Sequence, residues 1–520
     1  MESNVVGILI TSLVYLGGMI AIGAVFSRKN KDVSDFYLGG RKLGPLVSAM
    51  SAEASDMSSY LLMGLPGLAY LCGAAEVGWT AIGLAAGTYL NWLFVARRLR
   101  IYSQKTNSIT IPDFFSDRYH DKKHMLSGIS ALIILIFFVP YTASGFAACG
   151  KLFGTLFGWD YHLAMIISAV IIIAYTSMGG FLAASFTDLI QSIVMTAALV
   201  IIVVFGIHTA GGWDAVVDHA KSIPDYLHMM TTRSFDKGTG TFTNGVSYGF
   251  LPIVSTLAWG LGYFGMPHIL LRFMAIENDK KVKTSRRIAS IWVVIAMGVA
   301  ILIGFIGSRL SANGSIETLY GKDVNDSETV IMKIAMLLSK HSFAAALVAG
   351  LIFAGILACT MSTADSQLLA ASSSMSENIV KGVFGVKLSE KNAMRVARAV
   401  LILIAGAGVI LAWNPDNSVF QIVSFAWAGF GATFGPLMLS ALFWKRSNKW
   451  GAAAGLVVGG AMVFIWKFII RPLGGAWDIY ELLPAFLCAL LAIVIVSLVT
   501  GKPEESVQTE YDEVRALMKQ

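Results

Sequence analysis

Ser51-Ala52-Glu53-Ala54-Ser55-Asp56-Met57-Ser58-Ser59-Tyr60 lies inside an apolar run over about 44–71. A run of that length crosses the hydrocarbon core of a bilayer as a helix. Two carboxylates and four serines then sit near mid-membrane. An ionised Asp at that depth costs on the order of 3 kcal/mol on insertion scales. Such groups face a cavity or a partner, and they mark an ion or solute path. The competing structural reading is that Glu53 and Asp56 cap broken helix ends or pair with a buried base. No Lys or Arg lies at matching depth nearby, which favours the path.

Outward from this stretch, apolar runs recur to the end of the chain. Of 520 residues, 56% are hydrophobic and only 14% charged, with a mean hydropathy of +0.69. Soluble domains carry about 25% charged residues, so most of this chain cannot face water. The 51 glycines suit close helix packing in lipid. The pattern predicts an all-α polytopic membrane protein of about thirteen spans. They cover approximately 5–26, 44–71, 74–96, 125–153, 160–178, 184–207, 246–274, 288–311, 342–380, 393–413, 417–444, 450–470 and 478–500. The first run has no positive flank before it and no small-residue cleavage pattern after it, so it reads as a retained helix and not a signal peptide.

The basic residues give the topology. Arg28, Lys29, Lys31, Arg41 and Lys42 follow span one. Arg97, Arg98, Arg100, Lys105, Arg118, Lys122 and Lys123 follow span three. Arg272, Lys280, Lys281, Lys283, Arg286 and Arg287 follow span seven, and Lys381, Lys387, Lys391, Arg395 and Arg398 follow span nine. Lys445, Arg446 and Lys449 follow span eleven. All these loops follow odd-numbered spans, whereas the long 208–245 loop holds only Lys221, Arg233 and Lys237. The positive-inside rule then puts the N-terminus outside and the C-terminus in the cytoplasm, in a plasma-membrane protein. The acidic 501–520 segment reads as a solvated tail. The net charge of +7 is thus topological, and with no soluble domain visible a nucleic-acid partner is excluded. Cys72, Cys149, Cys359 and Cys488 have no metal-ligand spacing and make no disulfide framework. No His-Glu-x-x-His motif or nucleophile–base pair suggests an enzyme.

The seventh span holds a second irregular stretch, Trp259-Gly260-Leu261-Gly262-Tyr263-Phe264-Gly265-Met266-Pro267-His268. Three glycines and a proline weaken a continuous helix, and in lipid irregular backbone survives only where it is buried or lines a cavity. Viewed alone it is equally a packing kink, with His268 structural. One irregular stretch opens a block of five spans, two to six, and the other opens spans seven to eleven. Interrupted helices at matching places in two halves point to a transporter site at the bilayer midplane. An odd number of spans per half makes the halves inverted. The organisation expected is 1–43, a first helix and loop; 44–208, the first repeat; 209–245, an extracellular loop; 246–444, the second repeat; 445–500, two further helices; and 501–520, the tail. No obligate protein partner is implied.

In the ninth span, Ala358-Cys359-Thr360-Met361-Ser362-Thr363-Ala364-Asp365-Ser366 places the Cys359 carbonyl beside the Ser362 and Thr363 hydroxyls on one helix face. Sodium, a hard cation, takes oxygen ligands, and carbonyls freed near Ala54 and Met57 would complete the cage. The alternative is that these hydroxyls only bond back to their own helix.

These motifs resemble the solute:sodium symporter family, and within it the sodium/proline symporters. The matching stretches are Phe36-Tyr37-Leu38-Gly39-Gly40-Arg41, Ser55-Asp56-Met57-Ser58, Leu62-Met63-Gly64-Leu65-Pro66-Gly67, Trp259 to His268, Ser362-Thr363 and Ala426-Trp427-Ala428-Gly429-Phe430-Gly431. The resemblance covers nearly the whole chain outside the tail. It implies a LeuT-type fold of five-plus-five inverted repeats with extra flanking helices, and sodium-coupled import of L-proline by alternating access. It implies a Na+ site of the Ala54, Met57 and Cys359 carbonyls with the Ser362 and Thr363 hydroxyls. It implies that Asp56 and Ser58 couple ion to solute, that Asp188 stands near the inward sodium exit, and that Tyr141, Trp259, Tyr263 and Pro267 form the proline pocket. Tyr60 and Met266 depart from the Trp and Gln of some proline transporters, and either departure bears on selectivity if it touches solute. The same architecture carrying another amino acid, a sugar, a vitamin or an organic acid stays open, as does a passive channel.

Overall fold

The structure is a computed structural model that describes residues 2–28, 32–236, 238–321, 327–414 and 419–519. Lys29, Lys31 and Lys237, counted above among the loop charges, lie outside the described residues. From the N-terminus, α1 (Glu2–Ser27) leads through α2 (Val33–Leu38) to a broken pair, α3 (Pro45–Ser59) and α4 (Leu65–Cys72). α5 (Ala74–Leu90) continues through a π-helical turn into α6 (Arg97–Lys105), and α7 (Ile111–Arg118) precedes α8 (Met125–Phe157). α9 (Tyr161–Thr209), α10 (Trp213–Ser222), β1 (Thr231–Asp236) and β2 (Thr241–Ser247) follow. A second broken pair, α11 (Phe250–Leu257) and α12 (Pro267–Ala275), leads to α13 (Val282–Ala312), α14 (Val330–Ser339) and α15 (Phe343–Ser373). Then come α16 (Glu390–Leu411), α17 (Val419–Phe443), α18 (Lys449–Ile465), α19 (Leu482–Val499) and α20 (Glu505–Leu517).

Among the described residues, nine helices are long and apolar enough to cross a bilayer. The expected thirteen spans divide differently for physical reasons. α9 runs 49 residues and covers two expected spans, with its break at Gly180 (φ 60, ψ −159). The second, third and seventh expected spans are cut into shorter helices by irregular turns. The short gap between the second and third is Gly73, with φ 82. A Cβ there would lie 2.1 Å from the Tyr226 carbonyl oxygen, which instead accepts the Ala74 N–H at 2.7 Å. Only glycine fits that turn.

α15 is the central post. From Ile352 to Ser373 it is buried throughout, packed against α9, α1, α8 and α3. A helix apolar all round belongs in the interior. The two broken pairs lean on it and its neighbours: α3 packs on α12 and α15, and the irregular stretch after α11 packs on α5 and α17.

The basic segments gather at one end of the bundle. Arg41 donates to the Met274 and Ser108 carbonyls, Arg97 pairs with Asp279 at 2.9 Å, Thr110 bonds Asn378, and Tyr119 bonds Ser447 at 2.8 Å. Several of these residues are struts and not solvated loop charges. Arg100, Arg118 and Arg272 are 4%, 0% and 1% exposed.

Two further expectations change. The 208–245 segment is no plain loop: α10 and an antiparallel β1–β2 hairpin cover the far end, and the expected start of span seven at 246 falls in β2. Rings of Phe235 and Phe242 close on Tyr320 there, at 5.6 and 4.8 Å. The 501–520 segment is not simply solvated. α20 buries Val507, Tyr511 and Val514, stacks Tyr511 on the Arg118 guanidinium at 5.1 Å, and pairs Glu513 with Lys105 at 2.9 Å.

Candidate functional site

α3 loses its helical backbone at one residue. Ser58 has φ 47 and ψ −170, a strained conformation for a residue with a Cβ. The chain resumes in a π-helical turn from Tyr60 to Gly64. At the break, the Cys359 thiol donates to the Ser58 carbonyl.

Beside this break four oxygens converge. The Ser362 hydroxyl donates to the Ala54 carbonyl at 2.7 Å and stands 3.2 Å from the Cys359 carbonyl. The Thr363 hydroxyl is also 3.2 Å from the Cys359 carbonyl. Ala54, Cys359 and Ser362 are fully buried, and Thr363 is nearly so. A hydroxyl carries one proton, so Ser362 cannot satisfy both carbonyls at once. This set of carbonyl and hydroxyl oxygens suits a hard monovalent cation. Thr363 bonds back to its own helix, whereas Ser362 reaches both its own helix and α3. Met57 fits less directly. Its carbonyl accepts the Tyr60 N–H, and the residue contributes to the cavity wall.

That cavity is small, with about 20 Å³ open to the centre of a water-sized sphere. Asp56, Ser58, Tyr60, Tyr141, Trp259 and Trp427 line it, with Leu84, Met297 and Val423 on its apolar side. The Trp259 ring lies between those of Tyr60, at 6.0 Å, and Tyr480, at 4.9 Å, nearly parallel to both. The Trp427 indole N–H donates to the Trp259 carbonyl at 2.8 Å, which uses backbone left open by the irregular turns. A Cβ on Gly260 would lie 2.2 Å from the Gly83 carbonyl oxygen, so α5 approaches that backbone closely.

Polar atoms in the wall are sparse. The Tyr263 hydroxyl donates to Asp56 Oδ2 at 2.5 Å. Asp56 Oδ1 and the Tyr141 hydroxyl have no hydrogen-bond partner among the described residues. Of the expected pocket residues, Ser58, Tyr60, Tyr141 and Trp259 line the cavity. Tyr263 and Pro267 are not in its wall. Tyr263 is turned to Asp56, and Pro267 starts α12. Glu53 accepts from the Trp92 indole at 3.2 Å, and His268 is buried against the Phe138 ring at 5.5 Å.

Asp188 lies outside the cavity, in a buried ion pair with Arg272 at 3.1 Å. It also accepts from Ser51 at 2.6 Å. Sequence reasoning missed Arg272, Trp427 and Tyr480. Trp427 lay in a quoted motif without a role. Arg272 lay only five residues after Pro267, too close to the broken span to be a loop charge.

Among solved structures, a substrate-bound, outward-open Na+-coupled sialic acid symporter superposes with a TM-score of 0.78 at 19% identity, over 96% of this chain and 99% of that one. A nucleobase-cation-symport-1 family transporter in a closed conformation superposes with a TM-score of 0.55 at 16% identity, over 92% and 98%. These likenesses show a LeuT-type fold with two broken helices beside a small cavity, and with the family match that follows they define a multi-pass transporter and not an enzyme. Residues 36–459 match the sodium:solute symporter family, and the chain belongs to it. Relatives include the high-affinity proline transporter PutP of Bacillus subtilis, 39% identical over 96% of this chain and 100% of its own length. The sodium/proline symporters of Haemophilus influenzae and Escherichia coli are 41% and 39% identical, each over 98% of this chain, and over 98% and 96% of their own lengths.

Proposed function

We propose that this protein imports L-proline with sodium, by alternating access, across the cell membrane, with its N-terminus outside and its basic face and C-terminus in the cytoplasm. The observation that carries the reading is the adjacency of two unlike sites on one broken helix. Ala54, in the oxygen set, is two residues before Asp56 and four before Ser58, in the cavity wall. Near-full-length similarity to sodium/proline symporters supports the cargo.

The cavity suits a zwitterion with a compact ring. Asp56 Oδ1 accepts from the secondary ammonium, and the Tyr141 hydroxyl donates to the carboxylate. Tyr60, Trp259 and Trp427 hold the ring and attract the cation through their faces. Sodium, held by Ala54, Cys359, Ser362 and Thr363 with Met57 at the edge, fixes α3 against α15. That fixes Asp56 and Ser58 and raises solute affinity, and linkage makes the effect mutual. Residues 44–208 and 246–444 act as the two inverted halves that rock about these sites. One sodium moving down about 100 mV releases about 2.3 kcal/mol, and a tenfold gradient adds about 1.4 kcal/mol. The total of about 3.7 kcal/mol supports roughly 500-fold accumulation of a neutral solute.

The test is uptake of labelled proline into proteoliposomes with and without an inward sodium gradient, with other amino acids, sugars and organic acids as competitors. Sodium-dependent uptake displaced by unlabelled proline is the expected result. Uptake indifferent to sodium would reject the coupling, and displacement only by another solute class would reassign the cargo.

A further inference from the structure

We propose that Arg272 seals the inward sodium path: its guanidinium is a tethered cation, one helical turn from the sodium oxygens, that must leave Asp188 before the ion can pass. The inference rests on the symport reading above and adds a residue and a step to it.

The placement follows from helix geometry. Arg272 Nε donates to the Ser51 hydroxyl at 3.0 Å, and its NH2 group donates to Ser366 at 2.5 Å and to Asp188 Oδ2 at 3.1 Å. Ser51 precedes Ala54 by three residues on α3, and Ser366 follows Ser362 by four on α15. Residues three or four apart are neighbours along a helix, about 5–6 Å between Cβ atoms. One side chain therefore bridges α3, α9 and α15 one turn beyond the oxygens that Ala54 and Ser362 supply. Arg272, Ser51, Asp188 and Ser366 are all at most 1% exposed. The guanidinium also lies over the Phe181 ring at 5.0 Å. These contacts close the space between α3, α9 and α15, so a cation advances only by displacing the guanidinium from Asp188.

The same pair makes the seal reversible. While Arg272 holds Asp188, the carboxylate is neutralised and cannot draw sodium onward. When Arg272 withdraws, Asp188 becomes an unpaired acceptor beside the path, so guanidinium and sodium compete for one carboxylate. Asp188 Oδ1 has no hydrogen-bond partner among the described residues, and it offers the first new contact. Arg272 moves with α12, whose first residue, Pro267, follows directly on the irregular stretch that carries Trp259. A solute drawn against Trp259 is thereby linked mechanically to the seal, and sodium is kept from slipping through alone.

The experiment is radiotracer sodium flux through proteoliposomes without solute. It compares the wild type, the neutral pair Arg272→Gln with Asp188→Asn, and Arg272→Lys. Proline binding is measured on the same preparations. The neutral pair is expected to raise solute-independent sodium flux by about tenfold, and the lysine variant, which keeps the charge but not the fork that bridges three helices, by a smaller factor of about threefold. Ser366→Ala leaves the ion pair in place, so it is the readout should the neutral pair fail to fold, and a rise of about threefold is expected from one lost charge-assisted bond. A neutral pair that binds proline normally without added sodium flux would overturn the proposal, as would a lysine variant that leaks as much as the neutral pair. A wild type whose proline uptake ignores sodium would instead overturn the symport reading, in a separate arm.

Discussion

In α3 the regular backbone fails at Ser58 alone, whereas between α11 and α12 it stays irregular from Ala258 to Met266. The short break brings together a few small oxygens: the Ala54 carbonyl, the Ser362 hydroxyl and the Cys359 carbonyl, within 2.7–3.2 Å. The long break supplies area, with Trp259 stacked near Tyr60 and Tyr480 and braced by Trp427. A point defect is enough to offer an ion its ligands. A wall for a ring needs a backbone that turns through several residues, and glycines let neighbouring helices come close to it. The two breaks therefore divide the work into charge and shape, and Asp56 is where they meet, through its bond from Tyr263.

Substitution at that meeting point should have the largest effect. Asp56→Asn keeps the volume but removes the charge from both sides, and uptake should fall by about 100-fold or more, the loss of two charge-assisted bonds. Retained uptake would show that the breaks act independently. Next, Trp259→Ala should weaken proline binding by about 30-fold while sodium affinity changes by less than about threefold. Ser362→Ala should do the reverse, raising the sodium concentration for half-maximal uptake by about tenfold, with Thr363→Ala smaller. Titrating each ligand against these variants checks the division, and equal effects on both ligands would dissolve it.

A smaller effect lies outside both breaks. In α7, between the third and fourth expected spans, burial and then the neighbouring Asp117 push the Asp113 carboxyl up to about 7 from its ordinary 3.8. Its neutral form is stabilising below about pH 4, and that contribution is lost as pH rises through about 7. Asp113→Asn should therefore gain thermal stability relative to wild type over this window, seen by thermal unfolding in detergent at several pH values. A constant difference across the window would show that the wild-type carboxyl does not titrate there.

The breaks were legible because their signals are local. Acidic residues inside an apolar run, and glycines beside a proline, announce themselves within ten positions. Long-range partners do not. Arg272 was grouped with the loop charges because its counter-ion, Asp188, lies 84 positions earlier. Arg118 was grouped likewise, although it is buried beneath Tyr511 of α20. The spacing of Val507, Tyr511 and Val514 was itself a helix signal, masked by the acidic composition around it. Pro267 and Tyr263 lay in the right stretch, but periodicity cannot say which side chains of an irregular turn face a cavity. The pairing of Ser362 with Ala54, 308 positions apart, was suggested by the break in the second span, and the packing of α3 on α15 makes it.

The most direct measurement is reciprocal binding on purified protein: proline affinity with and without saturating sodium, and sodium affinity with and without saturating proline. The account predicts that each ligand tightens the other by the same factor, about tenfold or more, and that Ser362→Ala shrinks both factors together. Proline affinity that is unchanged by sodium would contradict it, because the Ala54–Ser362 contact would then do nothing to shape the cavity at Asp56 and Ser58.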